Sequence, residues 1–175
     1  MNCSKKPELL VFAERKLKIK DFPSAILFYY NKTGITNITI PMTASVNDVL
    51  QMVSDLLVDR SIKVNSEDDF EVELTNTFQE EKIAIVLFHE SETISISFRT
   101  FVLLSKYKSY FSFINYKNPS DAVKNKYGIK KIPKILAIVP QSFISSEGGT
   151  LVIGYEGVFL YHEIARFMHN VWFLN

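Results

Sequence analysis

The sequence predicts an α/β protein in which helices cover both faces of one mixed sheet, preceded by a shorter ββα segment. Three observations lead to this prediction. Strand and helix patterns alternate through residues 61–175. The run Ile83–Phe88 is apolar throughout and rich in β-branched residues, as in a strand covered on both faces. The 175 residues are 47% apolar and 13% aromatic, which is enough to fill a core.

The first elements of this alternation lie between residues 61 and 88. Ser61–Val64 is a predicted short strand. We predict a helix from Ser66 through Thr77, because Ser66 suits the N-cap position and acidic residues crowd the first turn, where the helix dipole favours them. Lys82–Phe88 follows as the central strand of the sheet.

The segment Ser91–Tyr107 is predicted to form a helix, because its apolar residues recur at helical spacing. These residues are Ile94, Phe98, Phe101 and Val102. The local alternation of Ile and Ser also suits a strand, and the pattern alone leaves both open. Tyr110–Tyr116 is a predicted strand that is rich in aromatic residues.

The sequence pattern in the last third of the chain predicts a helix, then two strands and then a final helix. Asn118-Pro119 is expected to cap and open a short helix, which Gly128 ends in the left-handed conformation. Lys134–Val139 and Leu151–Tyr155 are predicted strands that pair around a turn at Gly148-Gly149. The final helix carries one apolar stripe. The stripe consists of Leu160, Ile164, Phe167 and Val171.

The front of the chain repeats the pattern of the back. Lys18–Phe28 parallels Gly128–Ile138, each with a proline ahead of an apolar strand. A second strand at Asn37–Pro41 and an amphipathic helix at Val46–Leu57 then follow. We therefore predict a partial module over residues 1–58 and a complete domain over 59–175. A small ubiquitin-like ββα unit at residues 24–57 fits the same pattern.

Composition excludes several function classes. Cys3 is the only cysteine, so the chain cannot form an internal disulfide, a dithiol redox pair or a cysteine zinc cluster. A net charge of +1 argues against a dedicated polyanion binder, although residues 99–134 hold nine Lys/Arg against one acid. The apolar runs are too short to span a bilayer. We expect no cofactor, no metal and no membrane insertion.

Residues 82–172 resemble the thioredoxin superfamily. The resemblance rests on the strand Ile83–Phe88, on Tyr127-Gly128-Ile129 ahead of Pro133, and on Tyr155-Glu156-Gly157 before the last helix. Within that superfamily the pattern is similar to redox-inactive modules of protein-disulfide-isomerase relatives and of large DnaJ-type co-chaperones. The resemblance implies a cis proline at position 133. It also favours a place in a larger protein of the endoplasmic reticulum lumen over a cytoplasmic location.

The same resemblance implies which residues form the functional site. The family's redox pair follows the strand that ends here at Phe88, where the next helix lowers a thiol pKa. His89, Glu90 and Ser91 begin that position, and none of them can exchange disulfides. In active relatives the residue before the proline offers its backbone to an extended peptide, so Ile132 and Pro133 complete the predicted partner-binding set. The alternative is that the proline only shapes the core.

Three other sites have simpler explanations. His89 and Ser91 lack a third group that would make them a base and a nucleophile, and Ser91 is expected to be a helix N-cap. His162 and His169 lie two helical turns apart, about 10 Å, which is too far to share a zinc ion. The lysines between positions 106 and 134, with Tyr110 and Tyr116, suggest nucleic-acid or anionic-lipid binding, but lysines on helix faces are normally just solvated.

The leading functional prediction is a non-catalytic thioredoxin-like module that binds or positions polypeptide clients or partner domains in a chaperone or protein-folding assembly. This prediction excludes nucleic acid as a partner. A purely structural scaffold is the main alternative. A glutathione-type enzyme and a basic nucleic-acid or lipid binder are the others.

Overall fold

The structure is a computed structural model that describes residues 15–16, 19, 25–31, 34–104, 109–143 and 150–173. The chain divides into two compact units, Met1–Leu56 and Leu57–Asn175. The assignment of residues 1–58 as a partial copy of the following module stays a prediction. Cys3 and the predicted turn at Gly148-Gly149 lie outside the described residues.

The first unit contains a two-stranded antiparallel sheet and a helix, as the ββα pattern predicts. The strands are β1 (Ala25–Asn31) and β2 (Gly34–Ile40), with Ala25 opposite Ile40. The helix is α1 (Val46–Leu56). Ser45 and Asp48 bond reciprocally at its start, because the Asp48 N–H donates to Ser45 Oγ at 3.2 Å and the Ser45 N–H donates to Asp48 Oδ2 at 2.7 Å.

The second unit is built on one five-stranded mixed sheet. Its strands are β3 (Ile62–Val64), β4 (Ile83–His89), β5 (Phe111–Lys117), β6 (Lys134–Val139) and β7 (Leu151–Gly154). Their spatial order is β3-β5-β4-β6-β7, which places β4 at the centre. β3, β5 and β4 run parallel, whereas β6 is antiparallel to both β4 and β7.

Four helices cover the two faces of this sheet. They are α2 (Glu67–Gln79), α3 (Ile96–Leu104), α4 (Asp121–Lys126) and α5 (Tyr161–Trp172). Residues of α3 and α5 pack on the face of β4 that carries Ile83, Ile85 and Leu87. Residues of α2 and α4 pack on the opposite face. Every residue of β4 is buried, so the predicted mixed sheet with helices on both faces is confirmed.

The N-cap residue of α2 is the one that the sequence predicts, whereas the N-cap residue of α4 is a different one. Ser66 caps α2, since its Oγ accepts from the Asp69 N–H at 3.1 Å. The cap of α4 is Ser120, whose Oγ accepts from the Val123 N–H at 3.2 Å, so the prediction of Asn118 was wrong. Asn118 instead turns the chain out of β5 with φ of 53°. Gly128 has the predicted left-handed conformation, with φ of 65°.

The third helix begins later than the sequence predicts. α3 starts at Ile96, and the Arg99 N–H donates to Ser95 O at 3.0 Å in its first turn. Ser91 therefore lies in a loop and does not cap the helix, which corrects the N-cap prediction. The strand alternative for this segment is also wrong. Neighbouring elements hold the loop through polar contacts that no local pattern in the sequence shows.

The final helix keeps its predicted stripe with one change of membership. Ile164 and Val171 are buried, and Met168 is buried between them. Phe167 is half-buried. Leu160 is the N-cap residue of α5, makes no side-chain cap bond and is 48% exposed. Its exposure places an apolar side chain at the start of α5 rather than in the core.

Candidate functional site

The pairing of β4 with β6 brings the two predicted segments to one edge of the sheet. Phe88 lies opposite Lys134 in this antiparallel pair. His89 comes directly after Phe88, and Pro133 comes directly before Lys134. Because the two strands are antiparallel, His89 and Pro133 lie next to each other just beyond this pair. The segments that the sequence singled out are therefore neighbours in space.

The loop before β6 is held to the core by buried residues and exposes its proline to solvent. Ile129 is buried, and Ile132 is half-buried against the cluster beneath α2 and α4. The Ile129 N–H donates to Lys124 O at 2.8 Å, which fixes the loop to the end of α4. Pro133 is exposed, and its bond to Ile132 is cis. The proline faces solvent at the edge of the sheet.

His89 is the last residue of β4, and the residue is only 5% exposed. Its Nδ1 lies 3.0 Å from the main-chain oxygen of Ser91, and its Nε2 is hydrogen-bonded to Asn115 Oδ1. Asn115 Nδ2 in turn donates to Asp59 Oδ2 at 3.5 Å. His89 contacts the carbonyl of Ser91 rather than its hydroxyl, so this geometry does not form a base–nucleophile pair.

Asn115 and Asp59 are site residues that sequence reasoning missed. Asn115 is buried between Ile114 and Tyr116 in β5, whose other buried residues are apolar or aromatic, and that polar residue among them was the signal available. Asp59 also accepts from Ser61 Oγ at 2.6 Å. The contact between Asn115 and His89 depends on the pairing of β4 with β5, which the sequence does not specify residue by residue.

Ion pairs hold the loop that follows His89. Glu90 Oε1 lies 3.2 Å from Lys124 Nζ, and Glu92 Oε1 lies 2.7 Å from Lys117 Nζ. The hydrogen bond from Lys117 lowers the pKa of Glu92 below its ordinary value of 4.5. These contacts fix residues 90–92 against β5 and α4.

The chain that leaves β7 forms the third side of the site. Lys134 and Glu156 form an ion pair, which places this segment beside the start of β6. Tyr155 is buried and its hydroxyl donates to Val158 O at 2.5 Å. Burial raises the pKa of Tyr155. Val158 is 63% exposed and Leu160 48%, so the segment that follows Glu156 carries exposed apolar side chains.

The other predicted sites lack a shared geometry. His162 and His169 are exposed, and no group of three or more His, Cys, Asp or Glu among the described residues is arranged to hold a metal ion. Tyr116 is buried and unavailable for stacking on bases, while Tyr110 packs against Trp172 with ring centroids 4.0 Å apart. Lys106 and Lys108 lie outside the described residues. No described helix has the length and apolarity needed to cross a bilayer.

Comparisons with known proteins find similarity in structure alone. No protein family matches the sequence, and no curated protein does. The crystal structure of ERdj5 form I aligns with 99% of this chain at 14% identity and a TM-score of 0.55. Full-length ERdj5 aligns with 97% at 14% identity and a TM-score of 0.54. ERdj5 form II aligns with 99% at 14% identity and a TM-score of 0.52.

These alignments show that the chain has a thioredoxin-like fold. The predicted resemblance to thioredoxin-like modules of protein-disulfide-isomerase relatives and DnaJ-type proteins is confirmed at the level of the fold. The chain spans between 22% and 24% of the length of the three ERdj5 chains. The likeness is to one part of a larger protein.

Proposed function

We propose that this chain is a non-catalytic thioredoxin-like module that binds an extended polypeptide, or a partner domain, at one edge of its sheet. The proposed surface, which we call the proline edge, consists of residues 89–91, 132–133 and 158–161. The observation that carries the proposal is an exposed Pro133 beside a strand end that holds no cysteine.

The exposure of Pro133 supports binding over a purely structural role. A scaffold whose groove is filled by its own side chains would bury the proline. Pro133 is instead exposed, and Val158 and Leu160, in the segment that follows Glu156, are exposed as well. Burial of apolar area is worth about 25 cal/mol per Å². This surface is therefore able to contribute to the binding of an apolar side chain.

The absence of catalysis is part of the proposal. The strand end that would carry a redox pair holds His89, and each of its ring nitrogens lies within hydrogen-bond distance of an oxygen atom of the protein. The chain's single cysteine cannot form a dithiol with a second one of its own. We expect no turnover above buffer in an insulin-reduction assay, and measurable turnover would contradict this part of the proposal.

An extended peptide would bind by adding main-chain hydrogen bonds at Ile132 and placing an apolar side chain against Val158 and Leu160. The test is NMR of the isotope-labelled full chain with reduced, carboxymethylated lactalbumin, which stays unfolded. We expect the largest amide shifts at residues 89–91, 132 and 158–161. Shifts that spread evenly over the domain, or no shifts, would contradict the proposal.

A pair of substitutions of exposed valines sharpens the test. Val158→Asp places a charge in the proline edge, whereas Val72→Asp does so on α2, where the valine is 57% exposed. We expect Val158→Asp to weaken binding about tenfold and Val72→Asp to leave it unchanged. Equal effects of the two variants would argue against the proline edge.

The proposed setting is a chaperone or protein-folding assembly in the lumen of the endoplasmic reticulum. The likeness of the fold to ERdj5 supports it. Fluorescence microscopy of the tagged protein in its own cell, beside a luminal marker, tests the compartment.

A further inference from the structure

Two exposed lysines stand directly before the proline of the proline edge. Lys130 and Lys131 are both exposed, while Ile129 and Ile132 on either side hold the loop to the core. Among the described residues neither lysine forms an ion pair. The loop thus presents two uncompensated positive charges beside Ile132 and Pro133.

The acidic residues of the proline edge already have partners. Glu90 pairs with Lys124, and Glu92, just beyond the edge, pairs with Lys117. Glu156 pairs with Lys134. Lys124 also lies 3.8 Å from Asp121, so these paired groups together carry one surplus negative charge. The two positive charges of Lys130 and Lys131 outweigh it, and the net charge of the edge is positive.

Two acidic residues of α2 that reach α4 also have partners there. Glu67 Oε2 accepts a hydrogen bond from Ser120 Oγ at 3.1 Å, and Glu71 Oε1 lies 2.6 Å from Lys126 Nζ. Exposed charges that are farther away than the Debye length, about 8 Å at physiological ionic strength, are largely screened from the lysines.

We infer that the polypeptide bound at the proline edge carries Asp or Glu next to its apolar residues. This inference rests on the proposed function, and it specifies the chemistry of the partner. Complementary charge chooses among partners and speeds their encounter, while apolar contacts with Val158 and Leu160 supply the remaining affinity.

Three labelled peptides with one apolar centre and Asp, Ser or Lys flanks test the inference. Fluorescence anisotropy with the full chain at 50 mM salt should rank them Asp, then Ser, then Lys. We expect about fivefold between the first two, since each exposed charge pair is worth only a small part of the affinity. At 0.5 M salt the ranking should collapse, because salt screens exposed charges.

Charge reversal separates these lysines from the overall charge of the protein. The double variant Lys130→Glu/Lys131→Glu should invert the ranking. The double variant Arg60→Glu/Lys63→Glu makes the same change in net charge at exposed residues in and just before β3, which is three strands from β6 in the sheet, and it should leave the ranking unchanged. Identical behaviour of the two double variants would overturn the inference.

The outcomes also separate this inference from the proposed function. Equal binding of all three peptides, weakened by Val158→Asp, would leave the proposed function standing and overturn the acidic preference. Failure of every peptide to bind would overturn both. A third outcome is that the protein binds a single-stranded oligonucleotide tightly and does not bind the peptides. If Lys130→Glu/Lys131→Glu abolishes that binding, both proposals are overturned and the lysines are a nucleic-acid contact.

Discussion

At the scale of single residues, His89 shows how a polar side chain is accommodated at the end of an apolar strand. Burying a polar group without a partner costs free energy, and that cost is removed when each polar atom is paired. The two ring nitrogens of His89 lie within hydrogen-bond distance of Asn115 Oδ1 and of the carbonyl oxygen of Ser91, and the tautomer sets which nitrogen donates. Replacing only His89 or only Asn115 leaves the other polar side chain buried without this partner.

This pairing gives the first prediction. Asn115→Leu should lower the free energy of unfolding by about 1–3 kcal/mol, because His89 Nε2 then lacks its partner inside the protein. The double variant His89→Leu/Asn115→Leu should cost less than the sum of the two single variants, since both polar groups are removed. Urea unfolding of the four proteins measures this, and additive costs would contradict the pairing.

The second prediction concerns pH and the loop after His89. The pKa of Glu92 is lowered, chiefly by the hydrogen bond from Lys117. A lowered carboxyl pKa means that the contact stabilises the folded loop above pH 4.5, the ordinary value, and is lost as pH falls through the lowered pKa. An NMR titration of the Glu92 carboxyl carbon should therefore have a midpoint below 4.5.

Lys117→Gln tests the cause of that shift. The variant should raise the midpoint of the Glu92 titration toward the ordinary value. Lys82→Gln removes a lysine that pairs with Glu80 instead and should leave Glu92 unchanged. An unaltered midpoint in Lys117→Gln would show that another contact holds the carboxylate.

At the scale of elements, local signals predicted an element best where its ends depend on its own residues. β6 has the predicted bounds, Lys134–Val139, and α2 begins after Ser66 as predicted. The start of α3 was missed because its apolar spacing continues back to Ile94, while Glu90 and Glu92 are held by lysines elsewhere in the chain. Helical spacing reports which residues face a core and does not report where a helix begins.

The end of α4 gives the third prediction. Gly128 has φ of 65°, and a Cβ atom added there would meet no atom within 4 Å. The cost of Gly128→Ala is therefore that of the backbone alone, about 1–2 kcal/mol. Gly128→Asn should cost less, because asparagine tolerates this conformation better. Thermal or urea unfolding compares the two variants, and equal costs would show that the backbone is not the cause.

At the scale of the whole molecule, the two units differ in burial. Both clusters of buried apolar residues consist entirely of residues from the second unit, Leu57–Asn175. No residue of the first unit is buried among those whose burial the structure describes. A two-stranded hairpin that buries no apolar face is marginally stable at best in water.

The fourth prediction follows from this difference. Residues 57–175 expressed alone should unfold cooperatively in urea, whereas residues 1–56 alone should show no cooperative transition. Circular dichroism measures both. A cooperative transition of residues 1–56 would show that this unit has a core of its own.

The sequence by itself determined the layers of this protein, because apolar runs, cap residues and helix-ending glycines act within a few residues of one another. It predicted the buried central strand, the helices on both faces and the position of Pro133 ahead of β6. It also showed that no cysteine pair is present.

Only the tertiary structure decided what lies beside Pro133. The pairing of β4 with β6 sets the proximity of His89, and the pairing of β4 with β5 selects Asn115 as its partner. The exposure of Val158 and Leu160 depends on what the rest of the chain leaves uncovered. Contacts between residues that are distant in sequence depend on register and packing, and the composition of a single segment does not encode them.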